Sequence, residues 1–81
     1  MEKILCNWTY RDVTDFLDRN GFDYYEDVGQ AEIFVKLRRN GEPDRFVEIK
    51  FTKGFYSPKA MRKMIQQSGI DQDEWSKWAN A

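Results

Sequence analysis

Apolar residues recur along this chain at two different periods, and the change from one to the other divides it into elements. Val13, Phe16 and Leu17 fall at the i, i+3, i+4 spacing that lines one face of a helix. Thr9 ahead of them suits an N-cap, Asp12 places an acid in the first turn, and Asn20-Gly21 is a stop signal, so a first helix is predicted over 9–20. A short aromatic strand is expected over 22–26, followed by a turn at Asp27-Val28-Gly29-Gln30. Residues 32–38 then alternate, with Ile33, Val35 and Leu37 expected toward the core and Glu32, Phe34, Lys36 and Arg38 outward. After a strong turn signal at Asn40-Gly41-Glu42-Pro43, residues 45–52 alternate again, with Val47, Ile49 and Phe51 inward and Phe46, Glu48 and Lys50 outward.

The period returns to helical over 57–69. Met61, Met64, Ile65 and Ser68 make one stripe, while Lys59, Arg62, Lys63 and Gln66 make another on the opposite side. Ser57 suits the N-cap, Pro58 the first turn and Gly69 a left-handed exit. Asp71-Gln72-Asp73-Glu74 opens a last short helix that carries Trp75 and Trp78 on one face. Strands with one apolar face and amphipathic helices predict an α+β domain in the order α-β-β-β-α-α, a three-stranded antiparallel sheet with the helices packed on one face.

Composition narrows this further. The 81 residues make one domain, 1–81, near the size at which a single core only just suffices, and the 16% aromatic content supplies much buried area per residue. Cys6 is alone and histidine is missing, so the chain makes no internal disulfide and assembles no Cys/His metal cluster; no metal and no cofactor is expected. The lone thiol fits a reducing cytoplasm, and neither a signal-peptide pattern nor a membrane-spanning run is present in the sequence.

Net charge is −1, but it is segregated. Residues 1–32 carry three cations against eight anions, residues 33–67 nine against three, and residues 68–81 one against three. A basic middle of this kind points to a polyanionic partner; opposite patches that face each other within the fold, or in a dimer, account for it equally. Phe34 and Phe46 are expected outward on polar strand faces, where they either stack on unpaired bases, pair with each other across strands, or lie under a partner protein. Phe55 and Tyr56, before the second long helix, are contact residues if they point outward and a hydrophobic staple if inward. Trp8, Trp75 and Trp78 read as core.

Element order and punctuation together resemble the HicA family of small toxins from bacterial and archaeal toxin–antitoxin systems, whose fold is similar to a double-stranded RNA-binding domain. The correspondence covers roughly residues 10–76. Ala60-Met61-Arg62-Lys63-Met64-Ile65-Gln66-Gln67-Ser68-Gly69-Ile70 resembles the family's Thr-Leu-Arg-x-Ile-Leu-x-Gln-Ala-Gly-Leu, and Asn20-Gly21-Phe22 resembles its Ala-Gly-Phe. Gly29-Gln30-Ala31 lies where the family has Gly-Ser-His followed by a strand.

The resemblance implies an RNA-binding domain whose RNA-facing cations are Lys53, Lys59, Arg62 and Lys63, continued by Lys50, Lys36 and Arg38. It also implies mRNA cleavage by a histidine, and Ala31 stands at that position. The expected function is therefore RNA binding without histidine-dependent cleavage. One alternative is a protein-interaction module that docks an antitoxin-like partner or a second copy of itself. The other is an mRNA interferase with Glu32, Asp27 or Glu26 as substitute base and Tyr24, Tyr25 or a lysine stabilising charge.

Overall fold

A computed structural model describes residues 7–37 and 43–79. Cys6, Arg38, Arg39 and the Asn40-Gly41-Glu42 part of the expected turn lie outside the described residues. The elements run α1 (Tyr10–Arg19), β1 (Asp23–Val28), β2 (Ala31–Lys36), β3 (Arg45–Lys50), α2 (Pro58–Ser68) and α3 (Gln72–Ala79). The strands form one antiparallel sheet in the order β1-β2-β3, as the alternating pattern requires.

The ends of α1 and α2 are closed by residues the sequence offers. The Thr9 hydroxyl accepts from the Asp12 backbone N–H at 3.1 Å, and the Asp12 carboxylate accepts from the Thr9 N–H at 3.0 Å, a reciprocal capping box. Ser57 caps α2 through the Ala60 N–H at 3.1 Å. Gly69 ends α2 at φ +72°, a left-handed conformation that favours glycine; a Cβ there would stand 2.7 Å from Nε of Arg45, whose flexible side chain would shift to admit it. The β1–β2 turn is tighter than expected: the strand continues through Asp27 and Val28, and only Gly29-Gln30 separates it from β2, with Gly29 at φ +64°.

The core lies between the sheet and the helices. Val13, Phe16 and Leu17 of α1, Met61, Met64 and Ile65 of α2, and Trp75 of α3 meet Phe34, Val47 and Ile49 from the sheet, with Trp8, Phe22 and Tyr56 filling the margins. Aromatic contacts fasten α3 to the rest. Trp75 lies 4.3 Å from Phe16 and 5.4 Å from Trp8, centroid to centroid, and Arg19 sits over the Trp78 ring at 5.1 Å. The indole N–H groups of Trp8 and Trp75 are both buried and find no partner among the described residues.

The expected facing of β2 is reversed. Phe34 is only 8% exposed and faces the helices, whereas Ile33 and Val35 are half-buried on the other face and Leu37 is exposed. The cause is register. Every β2–β3 pair joins an even-numbered residue to an odd-numbered one, with Glu32 opposite Ile49, Phe34 opposite Val47 and Val35 opposite Phe46. Because Val47 and Ile49 face the helices, Phe34 must join them; placing Ile33 and Val35 inward would require a one-residue slip.

Candidate nucleic-acid interface

At Lys50 the third strand ends, and residues 51–57 turn back along it to deliver Ser57 to the start of α2. That loop is tied at one point from two directions. The Tyr56 N–H donates to the Trp8 carbonyl at 2.8 Å, and the Tyr56 hydroxyl donates to the Lys50 carbonyl at 2.6 Å. Tyr56 is thereby buried, which corrects its assignment as a partner-contact residue: its ring fills the core margin and its hydroxyl holds the loop. Phe34, buried beneath the helices, is corrected in the same way.

Between this loop, the end of β3 and the first turns of α2 lies an open groove of about 340 Å³. Lys50 and Phe51 line one side, Phe55 and Ser57 the loop, and Ala60, Lys63 and Met64 the helix. Phe51 and Phe55 remain 62% and 63% exposed, Phe51 with its ring 5.3 Å from that of Tyr10, so two partly exposed aromatic rings lie beside two lysines and the capped N-terminus of a helix. An exposed ring offers a face for a base, an ammonium pairs with a phosphate, and the helix N-terminus adds partial positive charge. One anion enters this surface: the Glu48 carboxylate lies 3.5 Å from the Lys63 ammonium. The pair is exposed, so water and salt weaken it and a phosphate can replace it. One turn along α2 from Lys63, the Gln67 side chain accepts from the Glu48 N–H at 3.0 Å, which holds α2 along the outer edge of β3.

The expected cations divide into two groups. Lys50 and Lys63 line the groove, Lys53 is exposed on the loop outside that lining, and Lys59 and Arg62 are exposed on α2, with Lys59 one turn before Lys63 on the same side. Lys36 belongs elsewhere. It pairs with Arg45 at the other end of the ladder, five residues along β3 from Lys50 or roughly 17 Å, and its ammonium lies 6.0 Å from the Phe22 ring. Arg38 lies outside the described residues. Phe46 is half-exposed on the uncovered face of the sheet, 6.4 Å from Tyr25, away from the groove. Sequence reasoning missed Phe51. It was expected inward as the last alternating residue of β3, but the strand stops one residue earlier, and the Thr52-Lys53-Gly54 segment that follows was the signal.

No family model matches the chain, and no curated protein or solved structure does either.

Around Ala31 the chemistry is that of tyrosine and carboxylate. Ala31 is buried, opposite Val28 and Lys50 in the ladder. Its neighbour Glu32 accepts a hydrogen bond from the Tyr10 hydroxyl, and Asp27, directly across from Glu32, accepts from Tyr24 at 2.9 Å. Two carboxylates opposite one another repel, and each is relieved by a phenol donor. The bond to Glu32, with burial and the charge of Glu32 itself, pushes the Tyr10 phenol up to about 12, and burial pushes Tyr56 up to about 12 as well. Both stay protonated at neutral pH and are poor proton donors to a leaving oxygen.

The same shifts predict an alkaline limb of stability. A phenol whose folded pKa lies above the ordinary 10 contributes stability that is complete below pH 10 and is lost as pH rises toward 12, because the unfolded chain releases that proton first. Urea midpoints are expected to be level below pH 10 in this respect and to fall above it, with Tyr10→Phe reducing the slope. An unchanged slope in that variant would remove Tyr10 as a source.

Among the described residues no three His, Cys, Asp or Glu side chains gather to hold a metal, and no helix is long and apolar enough to cross a membrane.

Proposed function

We propose that this chain is a HicA-like RNA-binding domain of toxin–antitoxin type that lacks histidine-dependent mRNA cleavage, and that it takes RNA in the groove between β3 and α2. The observation that carries this reading is the convergence of exposed Phe51 and Phe55 with Lys50, Lys63 and the N-terminus of α2 around one 340 Å³ groove. Exposed rings select unpaired nucleotides, and the ammonium groups of Lys50, Lys53, Lys59 and Lys63 follow the backbone. The resemblance in 60–70 lies on α2 itself, whose other stripe is buried in the core. Against cleavage, the position of the family histidine holds buried Ala31, and Glu32 beside it is occupied by the Tyr10 hydroxyl.

The test is binding of a labelled twelve-nucleotide oligouridine and of an RNA hairpin by fluorescence anisotropy. With about four phosphate contacts on a single strand, affinity is expected to fall about 50-fold between 50 and 200 mM salt. Phe55→Ala is expected to weaken oligouridine binding by about 5- to 150-fold, the worth of one base–ring stack. Lys50→Glu with Lys59→Glu is expected to flatten the salt slope. Equal affinity for wild type and these variants would remove the groove as the RNA surface, and multiple-turnover cleavage by the purified protein would replace this reading with the interferase alternative. Docking of an antitoxin-like protein or a second copy is the other alternative, and the half-exposed Phe46 and Tyr25 on the uncovered sheet face are what favour it.

A further inference from the structure

The two edges of the sheet are treated differently by the rest of the molecule. Along β3, α2 packs against the strand, and the Gln67 side chain takes up the Glu48 N–H. β1 is the other terminal strand of the sheet, and its outer edge has no strand neighbour among the described residues. All six of its residues are exposed. An open row of N–H and C=O groups is a template for one more strand, and natural edges are commonly blunted by charge and bulges. β1 carries both devices: Asp23, Glu26 and Asp27 are its only charged residues, and a bulge falls between Tyr24 and Glu26. Protection alone leaves one feature without a cause. Tyr24, Tyr25 and Val28 on the strand, and Phe46 beside Tyr25, are each more than half exposed, so apolar surface flanks the open backbone on both sides.

We infer that β1 is a docking edge for an extended segment of a protein partner that carries lysine or arginine, added as a fourth strand. Charge selects the occupant. The edge presents three carboxylates and no cation, so a cationic strand gains from them and a polyanion is repelled. A second copy of this chain pairing through β1 would set carboxylates against carboxylates, which disfavours it. Register defines the pattern. Tyr24 and Asp27 point to the helix-covered side, where the Tyr24 hydroxyl holds the Asp27 carboxylate; Asp23 and Glu26, opposite Val35 and Ile33, lie on the open side with Tyr25 and Val28. Side chains of an added strand alternate, so cations on the open side meet Asp23 and Glu26 with their stems along the Tyr25–Phe46 surface, while apolar residues on the other side pack beside Tyr24.

This inference is independent of RNA binding in the groove, and its test keeps the two apart. Three synthetic peptides serve as probes: an N-acetylated, C-amidated Lys-Val-Lys-Tyr-Lys-Val-Lys, the same peptide with glutamate for every lysine, and the same with proline for both valines. Titrated into isotope-labelled protein, the lysine–valine peptide is expected to shift the amide resonances of Asp23–Val28 and to slow their hydrogen exchange. The glutamate peptide is expected not to bind. The proline peptide, which keeps the charge but has lost strand donors, is expected to bind much more weakly. Glu26→Lys with Asp27→Lys, exposed changes checked for folding by circular dichroism, is expected to weaken the lysine–valine peptide roughly tenfold or more while leaving oligouridine affinity no lower. Phe55→Ala is expected to leave peptide binding intact. Equal binding of the proline and valine peptides would reduce the effect to charge and overturn strand addition. Binding of the glutamate peptide, shifts confined to residues outside β1, no shift at all, or a dimer in solution whose interface is β1, would each overturn it too.

Discussion

Replacing Trp75 by alanine is expected to lower the stability of this domain by about 3–5 kcal/mol, the usual cost of removing a fully buried tryptophan. Trp75 is 0% exposed, stacks on Phe16 at 4.3 Å and meets Trp8 at 5.4 Å, and it joins α3 to the rest of the core. Domains of this size hold roughly 5–15 kcal/mol in all, so the loss takes a large share. At about 4–8 °C per kcal/mol, Tm should fall by at least about 12 °C, read by far-ultraviolet circular dichroism. Trp75→Phe separates packing from polarity. It keeps most of the ring contact and deletes a buried indole N–H that finds no partner among the described residues, so its cost should be far smaller. Trp78→Ala, at a half-buried position, should fall between the two. A loss below about 1 kcal/mol for Trp75→Ala would mean that α3 does not contribute to the core as described.

Phe34→Ala and Phe46→Ala should give opposite results although both residues sit on alternating strands with polar neighbours. Phe34 faces Val47 across the ladder beneath the helices, and its truncation should cost about 3–5 kcal/mol. Phe46 is 51% exposed on the uncovered face, and its truncation should stay within about 1 kcal/mol. Urea unfolding of the two variants with unchanged m-values measures the contrast directly. Similar losses at both positions would show that the register drawn here is wrong, because one slip exchanges the two faces.

That pair of residues also marks where the sequence becomes ambiguous. Alternation states that neighbours in a strand point opposite ways, but which set faces the helices depends on the pairing between strands. In β3 the inward pair Val47 and Ile49 was legible, since its outward neighbours Glu48 and Lys50 are charged. In β2 the alternation chose Ile33, Val35 and Leu37 over Phe34 as the inward set, and the choice was wrong because both faces carried apolar residues and the pairing with β3 decided between them. The helices were a different case. Caps and stops act within a few residues, so Thr9, Asp12, Ser57, Pro58 and Gly69 sit where local chemistry put them, and the stripe Met61, Met64, Ile65, Ser68 is buried as expected.

The candidate site shows the same division. Lys50, Lys53, Lys59, Arg62 and Lys63 were recognisable as a basic segment because they are close in sequence. Phe51 and Phe55 joined them only when β3 stopped at Lys50 and Tyr56 turned inward to bond the Lys50 carbonyl, exposing the two phenylalanines beside the helix. Lys36 left the group for a converse reason: it is a neighbour in composition but occupies the opposite end of the ladder.

By itself, then, the sequence determined the element order, the helix ends, the α+β class and the segregation of charge, all of which arise from interactions within a few residues of each other or from composition. The tertiary structure decided the face of β2, the inward turn of Tyr56, the Tyr10–Glu32 pair and the open edge of β1. Each of those depends on which distant segments meet, and that is set by competition for burial across the whole chain, which no local pattern contains.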